Sequence, residues 1–97
     1  MSNWTYSPKA KADLKAIWIY SAGSWGPDQA DSYIRQIDDT CQALAMGRLK
    51  GLDVTYIRPG YFKQRTGSHL IFFARPGPSE IVIIRLLHQS MDIGRQI

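Results

Sequence analysis

The run Ile81-Val82-Ile83-Ile84 sets four β-branched residues side by side with no polar residue among them. Alternation is what lets a strand show one face to water, so a strand without it is covered on both faces and lies inside a sheet. The rest of the chain must supply its neighbours and its covers. Two runs rich in aromatic and β-branched residues precede it, 61–66 and 69–75, and the apolar run itself belongs to a strand over 80–87. Gly67-Ser68 fits a two-residue primed turn and Pro76-Gly77-Pro78-Ser79 a four-residue loop, so these three strands form an antiparallel meander. Asn3 to Tyr6 offers a fourth, short strand.

The cover for one face lies upstream. Leu14, Ile17, Trp18, Ser21 and Trp25 fall at helical spacing, and this stripe assigns Trp18 and Trp25 to the core. Ser7 caps the first turn and Pro8 suits the first helical position, where a missing N–H costs nothing. Gly23 costs up to about 1 kcal/mol relative to Ala inside this helix and marks a point of fraying or kinking. Gly26-Pro27 then breaks the chain and, with Asp28, starts a second helix through Ala30, Tyr33, Ile34, Ile37, Cys41 and Leu44, stopped by Gly47. So short a link makes an antiparallel helix hairpin. The expected fold is α+β, in the order β-α-α-β-β-β, with the hairpin packed on one face of a small, mainly antiparallel sheet. Two helices leave the second face open, to be covered in part by the tail after His88 and in part by a partner. Between Gly47 and Gly60 the periodicity vanishes, which predicts a functional or mobile loop ending in the type II turn Arg58-Pro59-Gly60-Tyr61.

The 97 residues suit a single domain over 1–97. One cysteine, Cys41, has no partner for a disulfide or a thiolate metal site, which points to a reducing compartment. No apolar run approaches the roughly 20 residues of a membrane span. The start Met1-Ser2-Asn3-Trp4 is too polar for a signal peptide, so a cytoplasmic location is expected, with no membrane partner. Charge is distributed unevenly: residues 1–48 hold five basic and five acidic side chains, residues 49–97 seven and three, so the whole excess of +4 lies in the second half. That excess permits an acidic partner.

Neither histidine has an HxH or HxxxH companion, so no metal site is expected, and no Gly-rich phosphate loop occurs, so no cofactor is expected either. What remains is a set of cations and imidazoles on neighbouring strands: Lys63, Arg65, His69, Arg85 and His88. A metal-free ribonuclease needs a base, an acid and a cation on the phosphate, and these side chains can supply them. The alternatives are an ordinary solvated edge strand for Lys63 and Arg65, and hydrogen bonds to loop carbonyls for Arg85 and His88. The tryptophans raise nucleic-acid stacking as a further possibility.

Several stretches together resemble the ParE toxins of the RelE/ParE superfamily. They are the opening helix Ser7-Pro8-Lys9-Ala10-Lys11-Ala12-Asp13-Leu14 with Ile17-Trp18-Ile19-Tyr20, the turn Arg58-Pro59-Gly60-Tyr61, the hairpin Gly67-Ser68-His69 before Phe72-Phe73, and the ending Ile84-Arg85-Leu86-Leu87-His88-Gln89-Ser90-Met91-Asp92. The resemblance implies a toxin of a type II toxin-antitoxin system, of the plasmid-stabilising kind, wrapped and neutralised by a ParD antitoxin in a hetero-oligomer. It also implies DNA gyrase as the target, with gyrase-bound DNA as a further partner, and inhibition by binding, with no catalytic residue. On this view Tyr61, Lys63, Arg65, His69, Arg85, His88 and Met91 are the partner-binding residues. RelE-like relatives instead cut messenger RNA on the ribosome, and here His69, Arg85 and His88 would serve. That branch carries a denser set of Lys and Arg and usually a C-terminal Tyr. The tail after His88 has none, which favours binding over nuclease chemistry.

Overall fold

A computed structural model describes residues 3–91 and 93–97; Asp92, the last residue of the resembling stretch, lies outside them, as do Met1 and Ser2. The elements are β1 (Asn3–Tyr6), α1 (Pro8–Trp25), α2 (Pro27–Ala45), β2 (Leu52–Asp53), β3 (Tyr61–Thr66), β4 (His69–Ala74), β5 (Glu80–His88) and α3 (Ile93–Gln96). They build a five-stranded sheet in the order β1-β5-β4-β3-β2, with β1 parallel to β5 and all other pairs antiparallel. The apolar run thus lies in an interior strand, between β1 and β4, as the absent alternation requires.

Local chemistry sets the helix boundaries. The Ser7 hydroxyl accepts the Ala10 N–H at 3.1 Å and donates to the Ile84 carbonyl at 2.7 Å, so one cap both starts α1 and fastens it to β5. Gly26, at φ 93°, separates the two helices. Ala10 and Ile17 of α1 and Ile37, Cys41 and Leu44 of α2 are buried against Ile71, Phe73, Ile81, Ile83 and Leu86 of the sheet. Within this core the Tyr6 hydroxyl donates to Asp38 at 2.5 Å, and burial together with that bond raises its pKa. Burial likewise pushes the Cys41 thiol up to about 12, leaving it an inert packing residue.

Two expectations need correction. Trp18 and Trp25 are not core residues: they are 36% and 67% exposed. The inward face of α1 runs through positions 10, 14, 17 and 21, and the indoles stand to its side. Trp18 donates instead to Asp31 of α2 at 2.8 Å, while Trp25 ends the helix beyond the sheet. Nor is 47–60 an unstructured loop. Leu52 and Asp53 pair with Lys63 and Phe62, Val54 is fully buried, and the Val54 N–H bonds to the Tyr61 carbonyl at 2.9 Å. With both strand residues exposed and a single buried side chain just beyond them, no periodicity betrays it. Its closing turn is as expected, Gly60 at φ 80° and the Tyr61 N–H on the Arg58 carbonyl at 3.2 Å.

A second, smaller core occupies the face away from the helices. Phe72 and Phe73 face opposite sides by ordinary alternation, and the extra residue that the register shift leaves on β5, Ile84, lets Ile83 and Leu86 both face the helices; Phe73 joins the main core, and Phe72 packs with Val54 and Leu87. Ile57, Tyr61, Leu70, Ile93 and Ile97 border them. The outer face is therefore covered in part by the chain's own tail and by the turn after β2.

Candidate functional site

The seven candidate residues are divided between the two faces of the sheet. On β3, Tyr61, Lys63 and Arg65 alternate outward, opposite Ala74, Phe72 and Leu70. Arg65 is exposed, and its Nε donates to the Gly67 carbonyl at 3.2 Å, which sets it at the rim of the β3–β4 turn. Arg85 is half-buried and engaged within the chain. Its guanidinium donates to both oxygens of Asp13 on α1, at 2.8 and 2.9 Å, and to the Gln96 carbonyl at 3.0 Å. The Asp13 carboxylate raises the Arg85 pKa further. Arg58 donates to the Ile97 carbonyl, so two arginines hold the tail on the outer face.

His69 and His88 lie elsewhere. They are register partners at the start of β4 and the end of β5, with ring centroids 5.4 Å apart and planes at 88°. By strand alternation they share the helix side with Ile71 and Leu86. Together they line a cleft of about 310 Å³ between the sheet end and the tip of the helix hairpin, whose far wall is Tyr20 and Trp25. Those two rings meet edge to face at 6.2 Å and are 68% and 67% exposed. Ser21, Gln29, Tyr33 and Ser68 complete the lining, so among the described residues neither a carboxylate nor a Lys or Arg faces into it. Met91, 46% exposed, follows β5 with its N–H on the His88 carbonyl at 3.0 Å.

Hydrogen bonds at Nδ1 hold both imidazoles in place. The Ser90 backbone N–H points at His88 Nδ1 at 3.1 Å, so Nδ1 accepts and the neutral ring carries its proton on Nε2. The Ser90 hydroxyl joins the same nitrogen at 2.7 Å. The Tyr33 hydroxyl accepts the Ser68 N–H at 3.0 Å and has a single proton to give. It lies 2.6 Å from His69 Nδ1 and donates to the Thr66 carbonyl at 3.5 Å. Burial, and then the neighbouring His88, lower the His69 pKa and keep it neutral. Both rings border the cleft.

Sequence reasoning missed Tyr33, Tyr20 and Trp25 as site residues. Tyr33 stands on the apolar stripe of α2 and reads as core; its hydroxyl matters only because Gly67 lets the hairpin approach. Gly67 adopts φ 57°, and a Cβ there would meet the Tyr33 ring at 2.6 Å. Tyr20 and Trp25 gave one signal, since they are five residues apart and cannot both lie on the buried face.

Comparison with known proteins brings in the family. The family model described as ParE toxin of type II toxin-antitoxin system, parDE, matches residues 5–93. The toxin ParE1 of Mycobacterium tuberculosis is 38% identical over 96 residues, covering 99% of this chain and 98% of that protein. The toxin ParE1 of Caulobacter vibrioides is 40% identical over 92 residues, covering 95% and 94%. A solved chain from the chromosomal ParDE system of P. aeruginosa superposes with a TM-score of 0.77 at 24% identity, over 91% of this chain and 96% of that one. At that identity the structural likeness bears on the fold alone.

Proposed function

The chain belongs to the ParE family of toxins of type II toxin-antitoxin systems, and from that premise we propose that it acts by binding DNA gyrase, without catalysis of its own, and that a ParD-type antitoxin neutralises it in a hetero-oligomer. The observation that carries this reading is the match to toxin relatives across nearly the whole chain. The parDE designation of the matching family model supports the type of antitoxin.

The geometry argues against the nuclease alternative. Phosphoryl chemistry needs a cation on the phosphate beside the acid and base, yet the imidazole cleft is lined by neither Lys nor Arg. Arg85, the cation that alternative would use, is bound to Asp13. The surface offered to partners is then Tyr61, Lys63 and Arg65 on the outer face and His69, His88 and Met91 around the sheet end, with Arg85 acting indirectly by holding the tail.

The test is a supercoiling and cleavage assay with purified gyrase and toxin freed of antitoxin. Blocked supercoiling or accumulated cleaved plasmid, reversed by the cognate antitoxin, is the expected result. Full gyrase activity at saturating toxin overturns the reading. Primer extension on cellular messages during toxin expression addresses the alternative, which predicts codon-positioned cuts where the gyrase reading predicts intact messages and an SOS response.

A further inference from the structure

The sheet has two edges, and the chain treats them differently. β2 ends one of them with two residues, one of which is Asp53, and both shortness and charge discourage pairing with a further strand. β1 ends the other with Asn3-Trp4-Thr5-Tyr6, which has no charge, no proline and no bulge. The Asn3 and Ser7 N–H groups bond to the Ser79 and Ile83 carbonyls, so by alternation the N–H and C=O groups of Trp4 and Tyr6 point away from β5. Among the described residues nothing bonds these four groups. Just beyond them the same side of the sheet is closed, with the Ser7 hydroxyl on the Ile84 carbonyl and the Asp13 carboxylate on the Leu86 N–H.

We propose that two copies of the chain pair through β1, antiparallel about a two-fold axis at Thr5, to make one ten-stranded sheet. With Thr5 opposite the partner's Thr5, Trp4 lies opposite the partner's Tyr6, and two such hydrogen-bonded pairs satisfy all the open groups of both copies. A slip of one residue sets outward groups against inward ones. A slip of two leaves Trp4 or Tyr6 opposite a residue outside the strand. The side chains match themselves in the same register. Trp4 and Tyr6, already edge to face at 5.1 Å on the helix side, meet their counterparts in a cluster of four rings, and the exposed Thr5 meets Thr5, both favourable kinds of cross-strand pair. This self-complementarity is what selects a second copy as the occupant. The axis stands across the sheet, so both outer faces, each with Lys63 and Arg65, point to the same side. The pairing rests neither on gyrase nor on the antitoxin.

Sedimentation equilibrium of free toxin over a concentration series is the test. The contact is small, so a dissociation constant on the order of 10 μM is expected, with the mass rising toward twice that of the monomer. Thr5→Lys and Thr5→Asp each place like charges face to face and should weaken association at least about tenfold, while an equimolar mixture of the two variants restores it. Thr5 is exposed, so both variants should melt with the native protein, and melting is measured beside each run. Hydrogen exchange at the Trp4 and Tyr6 amides of the native chain should slow as concentration rises. A monomer at every concentration overturns the proposal. So does a dimer that Thr5→Lys leaves intact, which would pair through another surface. Exchange at those amides that slows only when antitoxin is added also overturns it, since the edge would then take an antitoxin strand.

Discussion

Asp13 on α1 grips Arg85 on β5 through both carboxylate oxygens and, with one of them, also accepts the Leu86 backbone N–H at 2.9 Å. The reason lies in the sheet. β1 pairs with β5 only as far as Ile83, so beyond that point the edge of β5 would present an unpaired N–H. Asp13 closes the edge in place of a strand. Removing it strands a half-buried guanidinium and a backbone donor together.

Asp13→Ala is therefore expected to cost about 2–4 kcal/mol, toward the range for breaking a poorly hydrated ion pair. Asp13→Asn, which keeps an acceptor, should lose less. Urea unfolding followed by circular dichroism measures both, and a loss below about 0.5 kcal/mol for Asp13→Ala would show that water replaces the carboxylate.

Gly67→Ala combines strain at φ 57° with a Cβ 2.6 Å from the Tyr33 ring. The expected loss is about 1–3 kcal/mol. It should also disturb the Tyr33 hydroxyl, so the His69 ring resonances in an NMR spectrum ought to shift. Unchanged stability and unchanged resonances would contradict the close approach.

The depressed pKa of His69 sets a pH dependence with a definite sign. The unfolded chain takes up this proton near the ordinary value of 6.5, while the folded ring, buried beside His88, resists it. Above that value both states are neutral and the contribution to stability is complete; as pH falls through it, the unfolded state binds more protons and stability declines. Melting temperatures should drop between pH 7 and pH 5, and His69→Gln should flatten that part of the curve. A profile identical to the native one in that variant would place the titration elsewhere.

Val54→Ala tests whether 47–60 is anchored. Emptying a fully buried site in the outer core should cost about 2 kcal/mol and loosen the β2–β3 pairing. Hydrogen exchange at Val54, whose N–H bonds to the Tyr61 carbonyl, reads this directly. A native exchange rate in the variant would mean that backbone pairing alone holds the segment.

Much of the fold was legible because its signals are local. Ser7-Pro8, Gly26-Pro27, Gly60 and Gly67 fix where elements begin and end, and the unbroken apolar run at 81–84 fixes which strand lies inside. The parallel partner of that strand, Asn3–Tyr6, was legible from its residues. The two-residue β2 was not, since both its residues are exposed and the single buried Val54 just beyond it leaves no pattern. The candidate site was harder still. His69 and His88 are nineteen positions apart and meet only through strand register, and the aromatic wall that faces them comes from α1, where stripe arithmetic alone had sent Trp25 inward. Arg85 attracted notice as a cation, yet its carboxylate partner lies in a helix whose charges read as ordinary solvated surface.

The parallel pairing of Asn3–Tyr6 with Glu80–Ile83 has a consequence during synthesis. The β1 segment is made well before its neighbour and cannot pair until β5 has emerged, and the Ser7 hydroxyl waits for the Ile84 carbonyl in the same way. A nascent toxin is thus held incomplete through most of its translation, by topology alone. Any partner that reads the assembled sheet meets that surface only once the last strand has emerged.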